Sequence, residues 1–316
     1  MRAYVVRRLL AAIPTMILVS MIVFLLMRLI PGDVIDAMAG AAWGIDQLDR
    51  AALEAELGLD APIHIQYFRW LGDVLRGDLG DSLWKKTPVI ELLKQRWPVT
   101  FQLGLMGLII AQLIALPVGI ISAVRQNAIS DYFARSLAIL FIAIPGFWLG
   151  TMIIVFPSIW WRWAPPAIFV QFADDPVGGM RMAILPAIVL GMAMSGMTMR
   201  LTRTMMLEVL RQDYIRTAWS KGLKERLIVW RHALKNALIP VVTLIGIQLP
   251  VLIGGSVIVE EIFSLPGVGR LMLDAIIDRD YAIVSGTMLI IGWFIVAANL
   301  LVDLLYAVMD PRISYK

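Results

Sequence analysis

The chain has 316 residues, 59% of them hydrophobic and only 16% charged. Soluble domains carry about 25% charged residues, so the composition excludes a soluble globular protein and requires an integral membrane protein. The net charge of +4 is what Lys and Arg on cytoplasmic loops produce, and with no polar domain left to carry it, nucleic acid is excluded as a partner.

The first apolar run, Leu9 to Ile30, follows Arg2, Arg7 and Arg8. It is longer than the ~7–15 residues of a secretory signal core and long enough to cross a hydrocarbon core of about 30 Å. It therefore predicts a retained transmembrane helix with its N-terminus inside. Ala37-Met38-Ala39 mimics a cleavage site but lies beyond Pro31-Gly32-Asp33. Arg28, near the outer end, is placed to snorkel.

Pro31 to Pro98 is the longest polar stretch, with Trp43, Trp70, Trp84 and Trp97 spread through it. Apolar periodicity predicts a helix over Ile45–Leu59 and another over His64–Leu75, the second with Tyr67, Phe68, Leu71 and Leu75 apolar. A loop this long with helices of its own reads either as a functional contact surface or as a cap on the outer mouth.

Five further spans follow: Leu103–Val124, Leu137–Phe156, Ala183–Met199, Ala237–Val259 and Ile283–Val302. Pro145 is the expected kink of the third span, and Gly146 with Gly150 has the spacing that lets membrane helices approach closely. Trp160, Trp161 and Trp163 form an aromatic belt at the outer interface. Met192, Met194, Met197 and Met199 crowd the fourth span, either lining a tolerant pathway or packing. Glu260 and Glu261 close the fifth span, read either as solvated interfacial charges or as facing a binding protein or the outer vestibule. Asp303, at the inner end of the sixth, is expected to pair with a cytoplasmic-side Arg. Residues 200–235 hold nine Lys or Arg against Glu208, Asp213 and Glu225, which places that loop, and with six spans both termini, inside.

The sequence lacks several chemistries. There is no cysteine, so no disulfide framework and no thiolate metal site. No G-x-x-x-x-G-K-[ST] phosphate loop and no H-E-x-x-H zinc motif occurs. Ser256 lies in an apolar run and His232 in a basic loop, too differently placed for a nucleophile and its base. The span centres carry no ionisable residue and so no proton relay. The chain reads as a non-enzyme, with any ATP hydrolysis on a separate chain.

The stretch from Glu208 to Pro240 is too polar to cross a bilayer. Its periodicity predicts two short amphipathic helices hinged at Gly222. Leu210, Tyr214 and Ala218, with Ile215 and Trp219 alongside, mark the first, and Leu223, Leu227, Trp230 and Leu234 the second. Gly222 stands where a helix C-terminus needs a positive φ.

Within this stretch, RTAWSKGLKERLIVWRHALKNALIP resembles the EAA loop of ABC-importer permeases, in the form of the dipeptide/oligopeptide/nickel branch. Of the general Glu-Ala-Ala triplet only Ala218 matches, whereas the peptide-branch form, Tyr-x-Arg-Thr-Ala-x-x-Lys-Gly-Leu, matches throughout. The resemblance extends to Gly77–Ser82, Phe263–Leu271 and Asn299–Ile313. It implies an all-α polytopic membrane protein of six transmembrane helices: a leading helix (1–30), an extracytoplasmic loop with short helices (31–98) and the five-helix core of a type I importer (99–316), with both termini cytoplasmic. It also implies a second homologous permease, two ATPase subunits holding ATP and Mg, a solute-binding protein outside, and a place in the lipid of a bacterial inner membrane. No cofactor is expected on this chain. Arg216, Thr217, Ala218, Trp219, Ser220, Lys221, Gly222 and Leu223 would enter a groove on the ATPase. The implied solutes are dipeptides, oligopeptides or related small molecules, and no substrate-binding residue is nominated. The alternative is an ion-coupled secondary transporter without an ATPase, and co-purification separates the two.

Overall fold

The computed structural model describes residues 2–29, 60–166 and 169–309, and the expected helix over Ile45–Leu59 lies outside them. Helices in chain order are α1 (Arg2–Leu29), α2 (Ile63–Leu75), α3 (Val89–Val124), α4 (Ile129–Ala143), α5 (Gly146–Trp161), α6 (Pro176–Leu210) and α7 (Asp213–Ser220). They continue with α8 (Glu225–Leu227), a π-helical turn (Ile228–Ala233), α9 (Leu234–Ile262), α10 (Val268–Ile277) and α11 (Tyr281–Met309). Five of these stretches are long and apolar enough to cross a membrane, and the bent α4–α5 pair makes a sixth. The bend, 95°, falls at the expected Pro145, which has no N–H to continue the helix. It is a break between two helices rather than a kink within one.

Two spans exceed their apolar cores. Helix α3 begins at Val89 and passes through Pro98, so its roughly 54 Å outruns the hydrocarbon thickness. Its first turns hold because Val89, Leu92 and Leu93 are buried against α10 and α11, a tertiary gain that offsets the proline. Helix α6 runs from Pro176, at the first helical position behind an Asp175 cap that accepts from the Val177 N–H at 3.0 Å, to Leu210.

These two long helices form the centre. Gly107, Ala111, Ala115, Gly119 and Ala123 recur every fourth residue on α3 and are buried, facing buried Ala183, Ala187, Gly191 and Ser195 on α6. Between lipid-embedded helices there is little hydrophobic drive, so small residues that permit backbone approach do the joining. A Cβ on Gly191 would stand 2.9 Å from the Gly107 carbonyl, and one on Gly119 2.8 Å from the Thr202 Cβ. By contrast a Cβ on Gly146 would meet nothing within 4 Å, and one on Gly150 only ordinary contacts. Of the two glycines expected to bring helices together, Gly150 is buried against Ile262 and Phe263 at the end of α9, whereas Gly146 meets no neighbour among the described residues. Gln248 joins α9 to α6, its Nε2 donating to the Met194 carbonyl and the Thr198 Oγ1, each at 3.3 Å. Met194 and Met199 are buried packing residues, while Met197 is exposed.

Helix α1 packs on α11, where Arg8 pairs with Asp303 at 2.9 Å, the ion pair expected for Asp303. Tyr67 and Trp70 of α2 turn in to Phe24 of α1, and Tyr67 shares a 2.8 Å hydrogen bond with Ser20. Phe68 and Leu75 are left facing out.

At the end of α9 both expectations for Glu260 are corrected. It is neither solvated nor facing a vestibule, being fully buried. Its carboxylate accepts from the Thr100 Oγ1 at 2.6 Å and from the Arg270 N–H at 3.0 Å, and Thr100 in turn accepts from the Val268 N–H at 2.8 Å. A Cβ on Gly267 would overlap that carboxylate, so the Pro266–Arg270 turn is wrapped around Glu260. Glu261 remains outside, 3.5 Å from Arg270. The Gly77–Ser82 loop is fixed similarly. Ser82 donates to buried Asp280 at 2.5 Å, and Gly77 and Gly80 take the positive φ the turn requires.

Candidate coupling site

Helix α6 stops at Leu210 and a two-residue bend turns the chain into α7. The first amphipathic helix thus starts at Asp213, later than its periodicity predicts, because Leu210 belongs to the end of the long span. Asp213 in the first turn suits the positive end of the helix dipole and pairs with Arg216 at 3.1 Å, both exposed, a contact worth no more than about 1 kcal/mol.

The C-terminus of α7 is a Schellman arrangement. The Gly222 N–H donates to the Trp219 carbonyl at 2.9 Å and the Leu223 N–H to the Ala218 carbonyl at 3.3 Å. Gly222 has φ +75°, as its position predicts, and a Cβ there would meet nothing within 4 Å. The demand for glycine is one of backbone conformation alone.

The second predicted helix is not short. From Glu225 the chain is helical through the π-helical turn and on to Ile262, so the return arm of the hairpin is the beginning of the fifth span. A π-turn holds one more residue than an α-turn and re-aims the side chains beyond it.

The face that α7 buries is Ile215 and Ala218. They sit among Ile120 and Ala123 of α3, Met206 of α6, and Ile228, Val229 and Ala233 of the π-turn. Tyr214 and Trp219, expected on the same face, are exposed at 44% and 47%. Tyr214 instead accepts from Asn236 Nδ2 at 2.8 Å. Of the eight nominated residues, Arg216, Thr217, Trp219, Ser220, Lys221 and Gly222 form an exposed surface, Leu223 is half-buried and Ala218 is buried. Ala218 thus seats the helix instead of presenting a contact. Thr217 and Ser220 bond within the helix, to the Asp213 and Arg216 carbonyls at 3.0 and 3.1 Å. Besides Lys221, exposed Lys224, Arg226, Arg231 and Lys235 follow in the return arm, and none of these five makes an ion pair among the described residues. The site is a basic ledge on a short helix clamped to the ends of two spans. Among the described residues no three His, Cys, Asp or Glu side chains gather as metal ligands.

One group near the ledge was not singled out by sequence reading. Asp131, in the first turn of α4, is fully buried. It accepts both nitrogens of an Arg203 fork, at 2.8 and 2.9 Å, together with the Ser122 Oγ at 2.6 Å and the Asn127 N–H at 2.9 Å. Arg135 stands 3.7 Å away. A lone acid in a loop with Arg125 and Arg135 is the only trace in the sequence, since its partner lies 72 positions on.

Comparison with known proteins follows the same lines. Residues 115–315 match the model of a family described as binding-protein-dependent transport system inner membrane component, and residues 1–104 match the corresponding N-terminal family. The chain is 42% identical over 315 residues to a putative peptide transport system permease protein of Brucella suis. It is 41% identical over 339 residues to the dipeptide transport system permease protein DppB of Escherichia coli K12, and 40% over 321 residues to the oligopeptide transport system permease protein AppB of Bacillus subtilis. In each case all of both chains is covered. The fold resembles a chain of the inward-facing MetNI methionine ABC transporter, with a TM-score of 0.56 at 17% identity over 69% of this chain and 96% of that one.

Proposed function

The chain belongs to the family of binding-protein-dependent transport system inner membrane components, and from that premise we propose how it works. It is a multi-pass permease subunit of an ABC importer of the peptide branch. The ion-coupled alternative draws no support from the family or the fold. The solute, on this reading, is a dipeptide, an oligopeptide or a related small molecule, which the names of its relatives support. A second, homologous permease completes the pathway, and two ATPase subunits hold ATP and Mg. A solute-binding protein delivers from outside, in a bacterial inner membrane with both termini of this chain cytoplasmic.

The observation that carries the mechanism is the seating of α7. Its outer face is polar and basic, and its inner face is locked to the ends of α3 and α6 and to the π-turn leading into α9. A partner ATPase gripping Arg216 to Leu223 would move those helix ends with it. Closure of the ATPases on ATP then favours one of two arrangements of the spans, and hydrolysis releases it. The chain itself transduces; bond cleavage takes place on the partner.

Affinity purification from native membranes tests this. A subunit bearing a G-x-x-x-x-G-K-[ST] motif should be retained with the chain, and the complex should hydrolyse ATP faster when solute-binding protein and a dipeptide are added. Recovery of the chain without any ATPase would overturn the reading.

A further inference from the structure

The seat of α7 contains residues of α3, α6, the π-turn and α9, but none from α4 among the described residues. Helix α4 is nevertheless the first half of the broken span, and whatever moves α7 must also move it if the α4–α5 arm is to swing. Among the described residues α4 is joined to α6 by apolar packing, where Ala138 shares a buried cluster with Met199 and Ala115, by close backbone approach, where a Cβ on Gly196 would stand 2.7 Å from the Ala138 carbonyl, and by the ionic node at Asp131.

That node lies on the helix ends that seat α7. Arg203 is one turn before Met206, and Ser122 adjoins Ala123; Met206 and Ala123 both pack around Ile215. Asp131 therefore gathers α3 through Ser122, the connecting loop through Asn127 and α6 through Arg203, all from the first turn of α4. A buried ion pair is weak evidence for stability, because desolvation cancels much of its attraction. A forked, two-bond pair does fix distance and orientation, which apolar packing does not.

We propose that Asp131 is a positioning residue for coupling: through its fork with Arg203 and its bond from Ser122 it makes the α4 end move as one body with α3, α6 and α7. The proposal rests on the importer reading above. Removing the node should leave α7 able to receive its partner, while its motion reaches the α4–α5 arm less faithfully, through apolar packing alone.

The native chain has no cysteine, so two introduced thiols can carry spin labels. Exposed Gln212, beside α7, and Ile129, at the start of α4 and 89% exposed, suit the purpose. The distance between them is measured in the whole complex in lipid nanodiscs, with and without ATP. With Asp131 intact, a narrow distribution that ATP leaves in place is expected. Asp131→Asn should broaden it and lower the stimulation of ATP hydrolysis by solute-binding protein about ten-fold, with unstimulated hydrolysis kept. Arg203→Lys, which retains both charges but loses the fork, should broaden it less. If Asp131→Asn prevents assembly, Arg203→Lys decides the matter alone. An intact-node distance that shifts with ATP overturns the proposal, as does a narrow distribution with full stimulation in Asp131→Asn, or in Arg203→Lys when it decides alone. If no ATPase accompanies the unsubstituted chain, the importer reading fails instead, and the nucleotide-free widths still decide whether the node holds α4.

Discussion

Glycines in this chain are informative at the scale of single residues because their demands differ. Gly222 needs a positive φ and has open space around it, Gly267 needs room for a buried carboxylate, and Gly146 needs neither. The first was legible in sequence, since a glycine after an amphipathic run is a helix-end signal that local chemistry alone sets. The second was not, because Glu260 meets Thr100, 160 positions away, and nothing beside Glu260 reports that partner. Apolar flanks and a membrane boundary left it two readings, a solvated interfacial charge or one facing a binding protein or the outer vestibule, and neither holds. Gly267→Ala should force the Glu260 carboxylate or the turn aside and cost about 1–3 kcal/mol, the usual range for overpacking. It should lower the melting temperature of the purified chain, whereas Gly146→Ala leaves it unchanged. Equal melting temperatures for the two variants would remove the argument that the Pro266–Arg270 turn is built around Glu260.

Among the helices, the spans were readable wherever twenty or so apolar residues run together, but their ends were not. The charged first turns of α3 and the last turns of α6 become helical through tertiary burial of Val89, Leu92, Leu93 and Met206, which a window of hydropathy does not register. The hairpin suffered the same way: two short helices in the sequence are one short helix and the start of a span. Helix α7 itself has only eight residues, too few to be stable alone, so its order comes from Ile215 and Ala218. Ile215→Ala removes the larger of these anchors at a cost of about 2–5 kcal/mol, without touching the apolar runs that drive insertion. Membrane levels should be normal, and hydrogen exchange at the amides of Asp213–Ser220 should accelerate while that of α3 and α6 does not. Unchanged exchange in α7 would mean that something other than this seat holds it.

For the molecule as a whole, the proposed function rests on one arrangement: an exposed ledge carried by α7, seated by apolar contacts on helix ends that continue through the membrane and that an ionic node ties to α4. The family matched along almost the entire chain, and its motif in the hairpin was visible from residue identity. The way the ledge connects to the spans was not visible, because the contacts join α3 and α4 to α6, α7 and the π-turn, with Asp131 and Arg203 for instance 72 positions apart. The central claim is that this connection transmits force, and Gly222 tests it most directly. A β-branched residue there opposes the left-handed backbone by about 1–2 kcal/mol or more, too little to stop six apolar spans inserting but enough to displace Arg216–Lys221 from their partner. The measurement is solute-binding-protein-stimulated ATP hydrolysis and dipeptide uptake by the complete complex in proteoliposomes, comparing the unsubstituted chain with Gly222→Val. The account predicts normal membrane levels of the variant with stimulation and uptake largely lost. Full stimulation and full uptake by Gly222→Val would contradict it.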